Sequence, residues 1–125
     1  MRLESLSPGA CESSLALTRR HRQHDGFVHA GVQATLADHT AGAAAATLVG
    51  EGRIVLTIEF KINLLRATIG ERLVCRARVL RPGRQVSVVD SEVFSVAAGR
   101  ETLASKATVT LAVVSAPRAG EVPAT

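Results

Sequence analysis

The chain has 125 residues, 46% hydrophobic and 21% charged, which is enough for one aliphatic core and too little for two domains. Aromatics make up 2%, three Phe with no Trp or Tyr, which argues against base-stacking nucleic-acid modules and sugar sites built on aromatic rings. The net charge of +4 is carried by Arg, because Lys61 and Lys106 are the only lysines, and arginines from Arg19 to Arg100 are spread along the whole chain. Guanidinium groups suit phosphate, or simply mark a solvated basic surface, and the absence of a cluster makes nucleic acid an unexpected partner.

In chain order, residues 1–10 lack the apolar segment of a secretory leader and are expected to be a flexible start. Cys11 and Cys75 have no metal-like or CxxC spacing, so neither a disulfide framework nor a metal site is expected. Ser14 to Thr18 alternates as an opening strand, and the polar run Arg19 to Gly26 reads as a loop. From Ala30 to about Val49 an Ala-rich, Pro-free run predicts a long helix, which Gly50-Glu51-Gly52 terminates.

Four strands are predicted to follow: Ile54–Leu64, Leu73–Leu80, Val86–Val96 and Leu103–Val114, each with a period of two. Ile58, Phe60, Ile62 and Leu64 fall on one face of the first, with Thr57, Glu59, Lys61 and Asn63 on the other. The separators 67–71, 81–84 and 97–101 each carry a Gly and suit short hairpins. Residues 115–125, with Pro117, Gly120 and Pro123, are an expected flexible end. No stretch is apolar enough to span a membrane, and a soluble cytoplasmic domain over residues 1–125 is the expectation. The order is α+β rather than alternating βαβ, and no GxGxxG, P-loop or GxSxG is present. A sheet of this length curved around one helix leaves open edges, so pairing with a second subunit is expected.

The densest group of unusual residues runs from Gln23 through His29-Ala30-Gly31 to Leu36-Ala37-Asp38-His39. Its pattern, Gly26-x-x-His29-x-Gly31 followed by Leu-Ala-Asp, resembles the signature of hotdog-fold acyl-CoA thioesterases of the phenylacetic-acid-degradation (PaaI) type. The segments Thr57 to Arg66 and Val79 to Arg84 resemble the same family, so the likeness covers roughly Leu15 to Val114. It implies a curved antiparallel sheet wrapped around a central helix and an acyl-CoA substrate, with coenzyme A present only as part of that substrate. It further implies two sites per dimer, commonly in a tetramer of two dimers.

The residues support a chemistry of their own. Asp38 lies mid-helix among small and apolar residues, where a carboxylate is costly unless solvated, paired or used. At 100° per residue Gly31, Ala34, Thr35, Ala41, Gly42 and Ala45 share its side, and Val32, Leu36 and Ala43 lie opposite, toward the sheet. A small-residue face admits a narrow acyl chain; an exposed Asp bonded across a subunit contact is the alternative. His29 precedes the helix, and the first-turn amides of Ala30 and Gly31 point outward at the positive end of the dipole, an expected oxyanion hole. The resemblance assigns that role to the amide at position 30, with His29 supporting the loop or orienting the thioester. His29 is otherwise a local cap or surface residue.

Gly31 and Asp38 are separated by ~10.5 Å along one helix, too far for both to meet one carbonyl. A site shared between two subunits is therefore expected. Relatives usually carry Asn where this chain has Gln23 and Gly where it has Ala30; Gln keeps the amide on a longer arm, and Ala30 keeps its N–H. Thr57 matches a position where relatives often hold the attacking water, and in a strand it is equally an ordinary β-branched residue. The leading expectation is thioester hydrolysis with Asp38 as general base or nucleophile, without metal or redox cofactor. Arg66, Arg81, Arg84 and Lys106 are the candidates for coenzyme A phosphates. A hotdog enoyl-thioester hydratase using His29 with Asp38, and a non-catalytic acyl-CoA-binding protein, are the alternatives.

Overall fold

The computed structural model describes residues 1–117. Two strands, β1 (Arg2–Ser7) and β2 (Ala10–Ala16), lead through a short 3-10 turn (Arg19–His21) to the helix α1 (Ala30–Ala46). Four strands follow: β3 (Arg53–Leu64), β4 (Arg72–Arg81), β5 (Val86–Ala97) and β6 (Arg100–Ser115). All pairings are antiparallel and form one six-stranded sheet in the order β1-β2-β4-β5-β6-β3. This α+β arrangement, with α1 packed on one face, is consistent with a hotdog fold.

Three expectations need correction. Residues 1–10 are not a free start: β1 pairs with β2 from Arg2↔Ser14 to Ser7↔Ala10 across the Pro8-Gly9 turn, where Gly9 takes φ +78°. Every residue of β1 is exposed, so it lacks the buried face that a period-two reading detects. The segment 67–71 is not a hairpin either, because β3 lies at the sheet edge against β6 while β4 lies between β2 and β5. It crosses back over the end of the sheet, held by Glu71 N–H to Val96 O and Leu17 N–H to Glu71 O, both 2.9 Å. The helix ends at Ala46, three residues early, because the Thr47 hydroxyl caps it: Oγ1 donates to Ala44 O and accepts from the Gly9 amide, each at 2.7 Å. The expected flexible end falls, beyond residue 117, outside the described residues; Ser115 itself closes β6.

The core is made of small side chains. α1 buries Leu36, Ala37, Thr40, Ala41, Ala44 and Ala45 against Cys11, Leu73, Cys75, Val89, Val93, Ala107, Val109 and Leu111. Ala41 and Ala45 thus face the sheet and not the side of Asp38, whereas Val32 and Ala43 are only half-buried at its flanks. Three hydroxyls inside this seam find partners, while that of Ser105 has none among the described residues: Ser91 Oγ donates to Ala37 O at 2.9 Å, and Thr40 Oγ1 donates to Leu36 O at 2.7 Å while meeting Ser13 Oγ at 2.5 Å. On the outer face Arg76 bonds Glu12 and grips Glu101 with two bonds, 2.8 and 2.9 Å, which holds the Glu101 carboxyl below its ordinary range.

Because Ala44 is fully buried between helix and sheet, Ala44→Leu overpacks the seam and should lower stability by about 1–3 kcal/mol, read as an earlier urea midpoint. Burial pushes the thiols of Cys11 and Cys75 above the ordinary cysteine range, in Cys11 with help from the neighbouring Glu12. Both are expected to resist a thiol-titrating disulfide reagent at pH 8 in the native protein and to react fully in denaturant.

Candidate active site

The approach to α1 is a tight reversal. Arg22 and Val28 form an isolated antiparallel bridge, Gln23 N–H donates to Phe27 O at 2.5 Å, and Gly26 N–H donates to Gln23 O at 2.9 Å. Val28, buried, donates to Thr68 O at 2.9 Å, and His29 N–H donates to His21 O at 3.0 Å. These bonds fix His29 in an extended conformation (φ −58°, ψ 138°) as the residue before the first turn. Its carbonyl accepts from Val32 and Gln33 at 3.1 and 3.3 Å. The Ala30 and Gly31 amides precede those donors and, among the described residues, have no acceptor.

Two hollows flank this helix start. On one side a cleft of about 340 Å³ has Gln23, Phe27, Leu64 and Arg66 at its exposed rim and Val28, Gln33 and Thr68, each at most 4% exposed, as its floor. Ala30 belongs to this side. On the other, a larger and mainly apolar hollow of about 580 Å³ is lined by Leu15, His21, His29, Val32 and Leu36, with Gly31 and Thr35 at the helix. Gln33 is a residue that the sequence reading missed: its Oε1 is buried without a hydrogen-bond partner among the described residues. The available signal was an amide side chain inside an otherwise small and apolar first turn.

Asp38 is half-buried, two turns further along α1, and its Oδ1 accepts a 2.6 Å bond from Thr57 Oγ1. A bulge in β3 produces this contact. The register against β6 slips between Thr57 and Glu59, leaving Ile58 unpaired and 57% exposed. Strict alternation would put Thr57 and Ile62 on opposite faces; the bulge turns both toward α1, Thr57 to Asp38 and Ile62 to the core. Around Asp38, Gly31 and Thr35 are exposed and Ala34 and Gly42 half-buried, so the small-residue face exists but is narrower than expected.

The structure joins Asp38 to Thr57, and separately gathers Gln23, His29, Ala30 and Gly31 at the helix start. It does not join the two groups within one subunit, since seven residues of helix hold them ~10.5 Å apart. The four basic candidates also separate. Arg66 alone shares a cleft with Gln23 and Ala30. The turn carrying Arg81 and Arg84 packs beside Leu48 to Gly50, at the opposite end of α1. Lys106 lies on the outer sheet face, 3.3 Å from Asp90 and 4.0 Å from Glu92, where its charge is already answered. Among the described residues no three His, Cys, Asp or Glu side chains are grouped as metal ligands, and no helix is long and apolar enough to cross a membrane.

Residues 25–100 match the model of the Thioesterase superfamily, and the chain belongs to that family. A thioesterase family protein from Silicibacter pomeroyi is 37% identical and superposes with a TM-score of 0.89, over 91% of this chain and 84% of that one. A conserved protein from Pseudomonas aeruginosa is 34% identical, with a TM-score of 0.80 over 90% of this chain and 87% of that one. A Streptococcus mutans protein bound to acetyl CoA is 24% identical, with a TM-score of 0.78 over 94% and 90% of the two chains. No curated protein matches the sequence. The fold is thus a thioesterase-family hotdog fold.

The first-turn amide can be deleted without disturbing the helix. Proline is favoured at the first helical position, and His29 already has the extended conformation that a following proline requires. Ala30→Pro is expected to keep the circular dichroism spectrum and to shift stability by less than about 1 kcal/mol in thermal unfolding.

Proposed function

We propose that this chain is an acyl-CoA thioesterase of the phenylacetic-acid-degradation (PaaI) type, hydrolysing an acyl or aryl-acyl thioester to free acid and coenzyme A. The observation that carries the reading is the pairing of an oriented carboxylate with an oxyanion donor set at a fixed spacing. Asp38, oriented by Thr57 at 2.6 Å, sits ~10.5 Å along α1 from the free amides of Ala30 and Gly31. Two antiparallel copies of such a helix bring the Asp38 of each against the amides of the other, which makes two equivalent sites in a dimer.

In this reading the thioester carbonyl oxygen accepts from the Ala30 and Gly31 amides, where the helix dipole adds to the stabilisation of developing negative charge. Asp38 of the partner helix takes a proton from water, or attacks the carbonyl carbon itself to give an anhydride that water opens; the thiolate of coenzyme A leaves in either case. Thr57 orients the carboxylate, Gln23 and His29 shape the loop over the thioester, and Arg66 at the cleft rim meets a phosphate. No step needs a metal or redox cofactor. The dimer has an available edge in β3, which exposes Ile58, Phe60 and Leu64, and a dimer of dimers is the assembly we propose. Its two unpaired, buried cysteines suit the reducing cytoplasm. That the Streptococcus mutans relative in fold binds acetyl CoA supports a coenzyme A thioester as the ligand. The hydratase alternative would pair His29 of one subunit with Asp38 of its partner in the same dimer, and an enoyl-thioester hydration assay separates the two.

Purified protein should release free thiol from short, medium, long and aryl acyl-CoA thioesters. Asp38→Asn is expected to lower kcat at least ~100-fold and Ala30→Pro a similar ~100-fold, with both variants folded. Hydrolysis undiminished in Asp38→Asn overturns the assignment; coenzyme A binding by the wild type without turnover selects the binding protein instead.

A further inference from the structure

We infer that Gln33 is a substrate-binding residue that takes the first amide N–H of the pantetheine arm, in the cleft between the start of α1 and residues 64–68. The inference rests on the hydrolase reading above for the position of the thioester. Its own observation is independent: a carboxamide 3% exposed, in a helix face otherwise made of small and apolar residues, with Oε1 unpartnered. A buried polar atom without a partner costs stability, and a near-isosteric apolar side chain would pack in its place without that cost. Gln33 lies on the floor of the cleft, and its carboxamide torsion is broad and nearly two-fold, so a turn about that bond brings the buried Oε1 to the cleft.

The two hollows on either side of the helix start explain why the pantetheine arm and not the acyl group meets Gln33. Ala30 lines one and Gly31 the other, so the first turn of α1 forms the crest between them. The larger hollow is mainly apolar, with Leu15, Val32 and Leu36, and fits an acyl chain. The cleft on the Ala30 side is smaller and less dominated by apolar surface, with Gln23 and Arg66 at the rim and Gln33 and Thr68 on the floor among Phe27, Val28 and Leu64. A thioester laid across the crest therefore puts its acyl group in the larger apolar hollow and its coenzyme A side in the cleft that carries the amide side chains and Arg66, with the phosphates leading past Arg66. The spacing agrees. Gln33 lies three residues beyond Ala30, ~4.5 Å along the axis and on nearly the same side, while the first amide nitrogen of the arm lies on the order of 5 Å from the thioester carbon.

A pair of small thioesters reads the contact directly. S-butanoyl-N-acetylcysteamine carries the amide, and S-butanoyl-pentanethiol replaces it by methylenes. The wild type should prefer the first by roughly tenfold in kcat/KM, and Gln33→Met should bring the ratio close to one. The same variant should lose kcat/KM by a similar factor on every acyl-CoA, whatever its acyl group. Its unfolding temperature should hold or rise, since an unsatisfied buried group has been removed. No preference in the wild type, a preference kept in Gln33→Met, or a loss confined to particular acyl groups would each overturn the inference; the wild-type ratio decides even if the variant fails to fold. A protein that hydrolyses no thioester refutes the hydrolase reading only. Calorimetry with free coenzyme A then reads the same amide: several-fold weaker binding in Gln33→Met supports the contact, and equal binding overturns it.

Discussion

The seam of small side chains between α1 and the sheet is the constraint on which the rest of the structure depends. Ala37, Ala41 and Ala44 on the helix and Cys75, Ser91, Ser105 and Ala107 on the strands are all buried. Side chains of this size let the helix axis come close to the sheet, and a close approach leaves little freedom to slide or tilt. The hydroxyls in the seam add direction to packing that would otherwise be non-specific, because Ser91 is bonded to one particular helix carbonyl and Ser13 to one particular threonine. A helix held in that way has a fixed axial position relative to β3, and that position decides which helix residue stands opposite the bulge.

At Ile58 that axial position meets a local feature of the strand. Had β3 kept strict alternation through this point, either Thr57 or Ile62 would have faced away from α1. The inserted residue lets the strand present a hydroxyl to Asp38 and then resume burying apolar side chains on the same face. The carboxylate is thereby held in one orientation by a neighbour from a different element, which is the kind of support a reacting group needs and which its own helix cannot supply. The bulged residue is left pointing outward on an edge strand, and bulges at such positions also discourage indiscriminate edge pairing.

The long helix and β3 to β6 were legible in the sequence because each is long, strongly patterned and bounded by Gly or Pro. β1 was not legible, since an edge strand exposed on both faces has no reason to alternate. The sheet order was not legible either: a Gly-bearing segment of five residues reads as a hairpin, and only the tertiary partners of β3 and β4 show that it is a crossover. Of the candidate site, Asp38, His29, Ala30 and Gly31 stood out by being chemically out of place or by marking a helix start. Gln33 did not, because an amide in a first turn is only a weak signal by itself, and the missing partner that sets it apart is visible only when the surroundings are known. The phosphate candidates were indistinguishable in sequence, where Lys106 looks as free as Arg66; the difference lies in Asp90 and Glu92, brought beside Lys106 by strand pairing.

A core assembled from Ala, Ser and Val buries fewer methylenes per residue than one built on Leu and Phe, so each buried residue contributes less of the hydrophobic term. Meanwhile Ile58, Phe60, Leu64 and Leu65 stand half-exposed at the β3 edge and just beyond it. Covering them in a dimer would supply burial that the small-residue seam cannot, and would do so beside Thr57 and Asp38. Stability and completion of the proposed site would then draw on the same contact. An isolated subunit would be short of both an apolar cover and half of its reacting groups, and subunit concentration would set the two together.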